Sequence, residues 1–212
     1  MKKSIIILII SLVVIGGGVV WYLSNNRNEN NNKAQVNEIN YQADRSSTNI
    51  TNNKITSISK PKETEISTFT TNIRNKDARR QNNITITCKT LSGIEIKPGE
   101  TFSFCDIVGD STTEKGYQEA EIYVKGEKKM GLGGGNCQVS TTLYNAVLNI
   151  PEFEVLERHQ HSGHVPYIEE GKDAAVSYGA YDFKFKNNTQ NTIRIVMENT
   201  PDNITAKIIK IS

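Results

Sequence analysis

Three consecutive glycines, Gly133-Gly134-Gly135, run through Asn136 into a cysteine, Cys137. Beyond it Val139, Leu143, Ala146 and Val147 recur at helical spacing until Pro151 stops the pattern, so a helix is predicted from Cys137 to about Leu148. A thiol in the first turn of a helix faces N–H groups without an intrahelical acceptor and the positive end of the macrodipole. Both favour the thiolate that attacks carbonyls. At an exposed site the dipole contributes only ~0.3–1 kcal/mol, so a base or a cationic partner is also needed. The N–H groups of Cys137, Gln138 or the glycine loop could receive an oxyanion. Gly133, Gly134 and Gly135 would leave room for another chain to approach the backbone. The blander reading is a buried structural cysteine behind a flexible loop.

All three histidines fall in one stretch, Glu157-Arg158-His159-Gln160-His161-Ser162-Gly163-His164. If that stretch is extended, His159 and His161 project from one face and Gly163 frees His164 to turn elsewhere. A neutral imidazole near Cys137 would be its base and, once protonated, would stabilise the thiolate. Asp173 could orient that imidazole as a third member. Two other accounts stay open. A His-x-His pair with an acid and Cys137 can hold Zn²⁺, although no second ligand set is evident in the sequence; alternatively the histidines are ordinary surface residues. Cys88 and Cys105 have neither a glycine loop nor a histidine nearby and read as small core residues.

The elements that must position these groups are expected to be α+β. A helix is predicted from Thr71 to about Leu91 with Arg74, Arg79 and Arg80 outward. Lys97-Pro98-Gly99-Glu100 reads as a turn before a strand over Thr101 to Phe104. Glu121 to Val124 and Lys128 to Gly131 read as a hairpin. Strand character follows over Phe153 to Glu157, Ala174 to Tyr178, Asp182 to Lys186, Thr192 to Met197 and Ile204 to Ile209. The expectation is a mostly antiparallel sheet with two main helices, within a domain covering residues 67–212.

Ahead of that domain, Ser4 to Leu23 carries no charge and follows Lys2-Lys3, with Trp21 and Tyr22 at its end. Twenty such residues make ~30 Å of helix, the thickness of a bilayer's hydrocarbon core. Residues 1–23 therefore read as a signal anchor that leaves the rest outside the cell. A cleaved signal peptide is the rival, though the small-residue ending it requires is missing. Residues 24–66, rich in Asn, Ser, Thr and Lys, read as a disordered polar linker. Across 212 residues, 25 basic and 23 acidic side chains give a net charge of +2, without the basic excess of a nucleic-acid protein. Three cysteines are too few for a disulfide scaffold, and an odd number outside the cell leaves a free thiol or an intermolecular bridge.

The segment Gly133-Gly134-Gly135-Asn136-Cys137-Gln138-Val139-Ser140-Thr141-Thr142-Leu143-Tyr144-Asn145-Ala146 resembles the core motif of VanW-domain proteins, named after an accessory protein of vancomycin-resistance clusters. Further likeness lies in Lys97 to Phe104, Gly116-Tyr117, Glu157 to Ser162, Gly171 to Ala174 and Asp182 to Asn187. The resemblance implies an extracytoplasmic, cell-wall-linked domain of Gram-positive bacteria. Some members are L,D-transpeptidases that make 3-3 cross-links in peptidoglycan through the cysteine at the Cys137 position. Carried over, Cys137 is the nucleophile, His161 the better base, His159 the more variable alternative, and Asp173 the acid. Gly133, Gly134, Gly135, Gln138 and Arg158 complete the set as candidate substrate-binding residues. No cofactor or metal is implied. The expected partners are peptidoglycan stem peptides and, through the N-terminal helix, the cell membrane, with no nucleic acid. A non-catalytic wall-binding or glycopeptide-resistance module, and a Cys- or Zn-dependent peptidase, remain the alternatives. His164, Lys172 and Cys105 depart from the residues usual in the family at their positions.

Overall fold

A computed structural model of the chain describes residues 61–124 and 127–212. The expected anchor and nearly all of the expected linker lie outside these residues. No helix among the described residues is long and apolar enough to cross a membrane. In chain order the elements are β1 (Glu63–Asn72), α1 (Ala78–Leu91), β2 (Glu95–Ile96), β3 (Thr101–Ser103), α2 (Phe104–Val108), β4 (Glu119–Val124) and β5 (Glu127–Leu132). They continue with α3 (Asn136–Leu148), β6 (Phe153–Glu157), β7 (Lys184–Asn187), β8 (Thr192–Asn199) and β9 (Asn203–Ile211).

Every strand pair is antiparallel, so the fold is α+β as expected, with a short third helix added. Four strands form one sheet in the order β1-β9-β8-β2, three form a second in the order β3-β7-β6, and β4-β5 stands as a hairpin. The alternation in β8 and β9 turns Ile193, Ile195, Met197, Ile204, Ala206 and Ile208 inward. Onto those residues pack α1, through Ile84, Cys88 and Leu91, and α3, through Val139, Leu143, Ala146 and Val147. The second sheet joins the same core through stacked phenylalanines, Phe102 on Phe185 at 5.0 Å and Phe153 on Phe185 at 5.1 Å. Tyr144 of α3 meets Phe183 edge-on at 5.5 Å, which fixes the helix to that sheet.

Three expectations are corrected. The single helix from Thr71 is two elements: Thr71 closes β1, and α1 begins only after Asp77, whose carboxylate accepts the Arg79 and Arg80 N–H groups as a cap. Strand β1 has no apolar alternation because its buried residues are Ser67 and Thr71, which bond Ala146 O and Thr142 Oγ1, both at 2.7 Å. Its first residues, Glu63 to Ile66, lie in the stretch read as linker. Phe104 leaves the strand for α2, capped by Ser103 Oγ on the Asp106 N–H. Finally, Ala174 to Tyr178 makes only isolated bridges, His159 with Ala175 and Ser177 with Tyr181.

Candidate active site

Helix α3 starts at Gly135, whose φ of 116° and lack of a side chain leave the first turn without a side-chain cap. The N–H groups of Asn136, Gln138 and Val139 turn back onto Gly133 O and Gly135 O. Among the described residues the Gln138 N–H is taken, whereas the Cys137 N–H has no acceptor and stays available to an oxyanion. The Cys137 thiol, half-buried, donates to Val176 O at 3.4 Å.

The glycines are required by packing within the fold. A Cβ on Gly134 would lie 2.8 Å from Glu121 O and 2.9 Å from Ala120 Cβ. On Gly135 it would lie 2.7 Å from Ile84 Cγ1, and on Gly133 2.6 Å from Ser111 Oγ. The space is taken up by the protein's own α1, β4 and 109–118 loop. All three also line the cleft.

The same helix fixes the acid. Thr141, one turn beyond Cys137, accepts the Ala174 N–H at 3.0 Å, and Asn145, another turn on, donates to Lys172 O at 2.7 Å. One face of α3 therefore sets the distance between the thiol and the backbone around Asp173. Asp173 is 3% exposed, and its carboxylate is fully partnered. Oδ1 accepts Arg158 Nη2 at 2.8 Å, while Oδ2 accepts the His161 N–H at 2.6 Å and its Nδ1 at 2.5 Å. Burial works to raise this carboxyl, but the His161 backbone and imidazole overcome it and hold Asp173 below the usual carboxylate range. Because the acceptor is a carboxylate, Nδ1 carries the proton and Nε2 is left as the basic nitrogen. Burial works to lower His161, yet the adjoining Cys137 thiol and Asp173 outweigh it and hold the imidazole above its ordinary value.

Cys137 and His161 line one cleft of about 820 Å³ with Gly133, Gly134, Gly135 and Gln138. His159 does not line it. Its Nε2 meets Glu157 Oε1 at 3.0 Å, and its ring lies tilted against Tyr181 at 4.7 Å, so the two histidines serve different partners. Arg158 is also absent from the cleft wall. It grips Asp173 and Gly171 O and lies over the Tyr144 ring, a positioning residue where a substrate contact was expected. Gln138, 1% exposed, is tied to Thr71 Oγ1 at 3.1 Å and Asn72 O at 3.0 Å. Cys88 is in the core, and burial pushes its thiol up to about 12. Cys105 reaches the cleft wall but is likewise pushed up to about 12, first by burial and then by Asp182. Among the described residues no group of three or more His, Cys, Asp or Glu is arranged to hold a metal ion.

Two residues were not anticipated. Tyr167 comes over the cleft beside Cys137 and Thr141, on an irregular segment without a periodic signal. Arg80, expected outward, is 8% exposed and enters the cleft. Its signal was available, since Arg80, Ile84, Cys88 and Leu91 share one helical stripe.

Residues 79–209 match the family model described as VanW like protein. Uncharacterized protein YoaR of Bacillus subtilis (strain 168) is 40% identical over 131 residues, 62% of this chain and 43% of that protein. Vancomycin B-type resistance protein VanW of Enterococcus faecalis (strain ATCC 700802 / V583) is 37% identical over 121 residues, 53% of this chain and 42% of that protein. The matched stretch thus spans less than half the length of these curated relatives. No solved structure matches the chain.

Proposed function

From the chain's membership of the VanW-like family, we propose that it is a cell-wall protein whose cleft performs cysteine-dependent acyl transfer on peptidoglycan stem peptides, making 3-3 cross-links as an L,D-transpeptidase. One observation carries the reading: Cys137 and His161 share a cleft, and His161 is held from behind by a buried Asp173 through a 2.5 Å contact. The vancomycin-resistance relative adds the cell-wall context.

In the first half-reaction His161 Nε2 takes the proton of the Cys137 thiol. The sulfur then attacks the carbonyl carbon of the donor's penultimate residue, and the developing oxyanion accepts the Cys137 N–H. The C–N bond breaks, and the departing amine of the terminal residue takes a proton from His161 Nε2. A thioester remains. In the second half-reaction an acceptor amine attacks that thioester and gives a proton back to Nε2. The C–S bond breaks, the thiolate is restored, and a new amide links two stem peptides. No ATP is available outside the membrane, so the new bond inherits its energy from the one broken. Water entering in place of the amine would give a shortened monomer. An N-terminal anchor at residues 1–23 would hold the domain outside the cell, facing this substrate.

Incubating the full chain with disaccharide-tetrapeptide and resolving the products by mass spectrometry tests this. Cross-linked dimer with released D-Ala, both lost in Cys137→Ala, is the expected result. Shortened monomer alone, or dimer that persists in Cys137→Ala, would overturn it.

A further inference from the structure

Arg80 is nine-tenths buried, yet half of its guanidinium is unused. Nη2 donates to Gln138 Oε1 at 2.8 Å, while Nη1, fully covered, has no acceptor among the described residues. A covered donor on a cation without a partner is costly, and native structures hold few of them. No carboxylate among the described residues pairs with this side chain, although every other buried charge has a partner. Burial opposes its charge. The groups that offset this, Tyr167, Cys137, Glu121 and Tyr123, all line the cleft. The orientation is imposed from outside α1: Gln138, the residue after the nucleophile, holds Nη2 and is itself tied to Thr71 and Asn72 of β1. An unpaired cation is thus held by this frame in the wall of the cleft that Cys137 also lines.

We propose that Arg80 is the carboxylate anchor of the cleft, its guanidinium receiving the terminal α-carboxylate of the acyl donor one residue beyond the carbonyl that Cys137 attacks. A guanidinium is a planar fork suited to a carboxylate. Arg80 and Cys137 line the same cleft, and a terminal carboxylate lies about one residue, ~3.3–3.6 Å of extended chain, beyond the attacked carbonyl. The anchor selects the last peptide bond of the donor, because only there does a free carboxylate lie that close to the attacked carbonyl. It also holds the leaving residue by its acid group while its amine is released. This deepens the acyl-transfer reading of Cys137 and rests on it.

The test compares two donor tetrapeptides that differ only in ending as a free carboxylate or a primary amide, using the full chain. The expected kcat/KM preference for the carboxylate is about 10- to 100-fold, the range of one hydrogen bond to a charged group. In Arg80→Gln the preference collapses towards one, and in Arg80→Lys, which keeps the charge without the fork, it falls in between. A folding defect lowers both donors together and leaves the ratio intact. A wild-type chain indifferent to the amide, or an Arg80→Gln chain that retains the wild-type ratio, overturns the anchor. Calorimetry on Cys137→Ala separates the two readings. A carboxylate preference in Kd that disappears when Arg80→Gln is added supports the anchor even if no donor is turned over. Turnover without any preference leaves acyl transfer standing and removes the anchor.

Discussion

At the scale of single residues, the His161–Asp173 pair ties function to pH with opposite signs for its two members. His161 is held above its ordinary value in the fold, so the stability it contributes is complete below an unfolded value near 6.5 and is lost as pH rises through the higher folded value. Asp173 is held below its ordinary value, so its contribution is present above 3.8 and is lost only as pH falls through the lower folded value. Melting temperatures of wild type and His161→Gln should therefore converge as pH rises from about 6 to about 8. A gap that widened over that window would mean the imidazole is not stabilised in its charged form. The three thiols should also separate chemically. With Cys88 and Cys105 pushed up to about 12, only about one part in 10⁴ of either is thiolate at about pH 8. Iodoacetamide should label the Cys137 peptide well before the other two, and Cys137→Ala should leave only slow labelling. Equal labelling at all three would show that burial does not protect the others.

Elements account for what the sequence could and could not disclose. Helix α3 and strands β6, β8 and β9 follow from periodicity, because each turns apolar residues to the core, whereas the β4–β5 hairpin, with β5 exposed, follows from its turn residues. The thiol, the imidazole and the acid were legible as residue types, but the preference for His161 over His159 came from the family resemblance alone, since its physical basis is Asp173 catching both His161 N–H groups. Strand β1 was illegible because its inward residues are hydroxyls whose partners on α3 lie more than seventy residues away. Arg80 was misread because a charge on an apolar stripe was assigned by charge rather than by position. The glycine loop carries the prediction proper to this scale. Gly135→Ala would place a Cβ against Ile84 at a backbone angle that L residues rarely adopt. The expected cost is about 2–4 kcal/mol, read by urea unfolding. A variant of unchanged stability with altered turnover would instead give the loop the substrate-facing role first expected. Thr141→Val should separate positioning from folding. It orphans the Ala174 N–H, costing about 1–3 kcal/mol, and should lower the rate more than the melting temperature accounts for.

For the whole molecule, the two ends of the described domain pair with each other. Lys62 and Ser212 exchange backbone hydrogen bonds of 2.8 and 3.0 Å, and β1 runs alongside β9 from Glu63–Ile211 to Asn72–Asn203. The stretch that matches the family model, residues 79–209, begins after β1 and after the Asp77 cap. A chain cut to those limits would leave β9 as an unpaired edge. It would also strip Thr142 and Ala146 of their hydroxyl partners and release Gln138 from Thr71 and Asn72, and with it the orientation of Arg80. Each buried polar group left unpaired costs about 1–3 kcal/mol, and several such losses rival the ~5–15 kcal/mol total stability of a domain this size. Residues 61–212 should therefore melt cooperatively, with dispersed amide resonances. Residues 79–209 should show neither, and should gain both when a peptide spanning residues 61–78 is added. A cooperative transition in the shorter chain alone would mean that β1 is an accessory strand and that the frame of the cleft is complete without it.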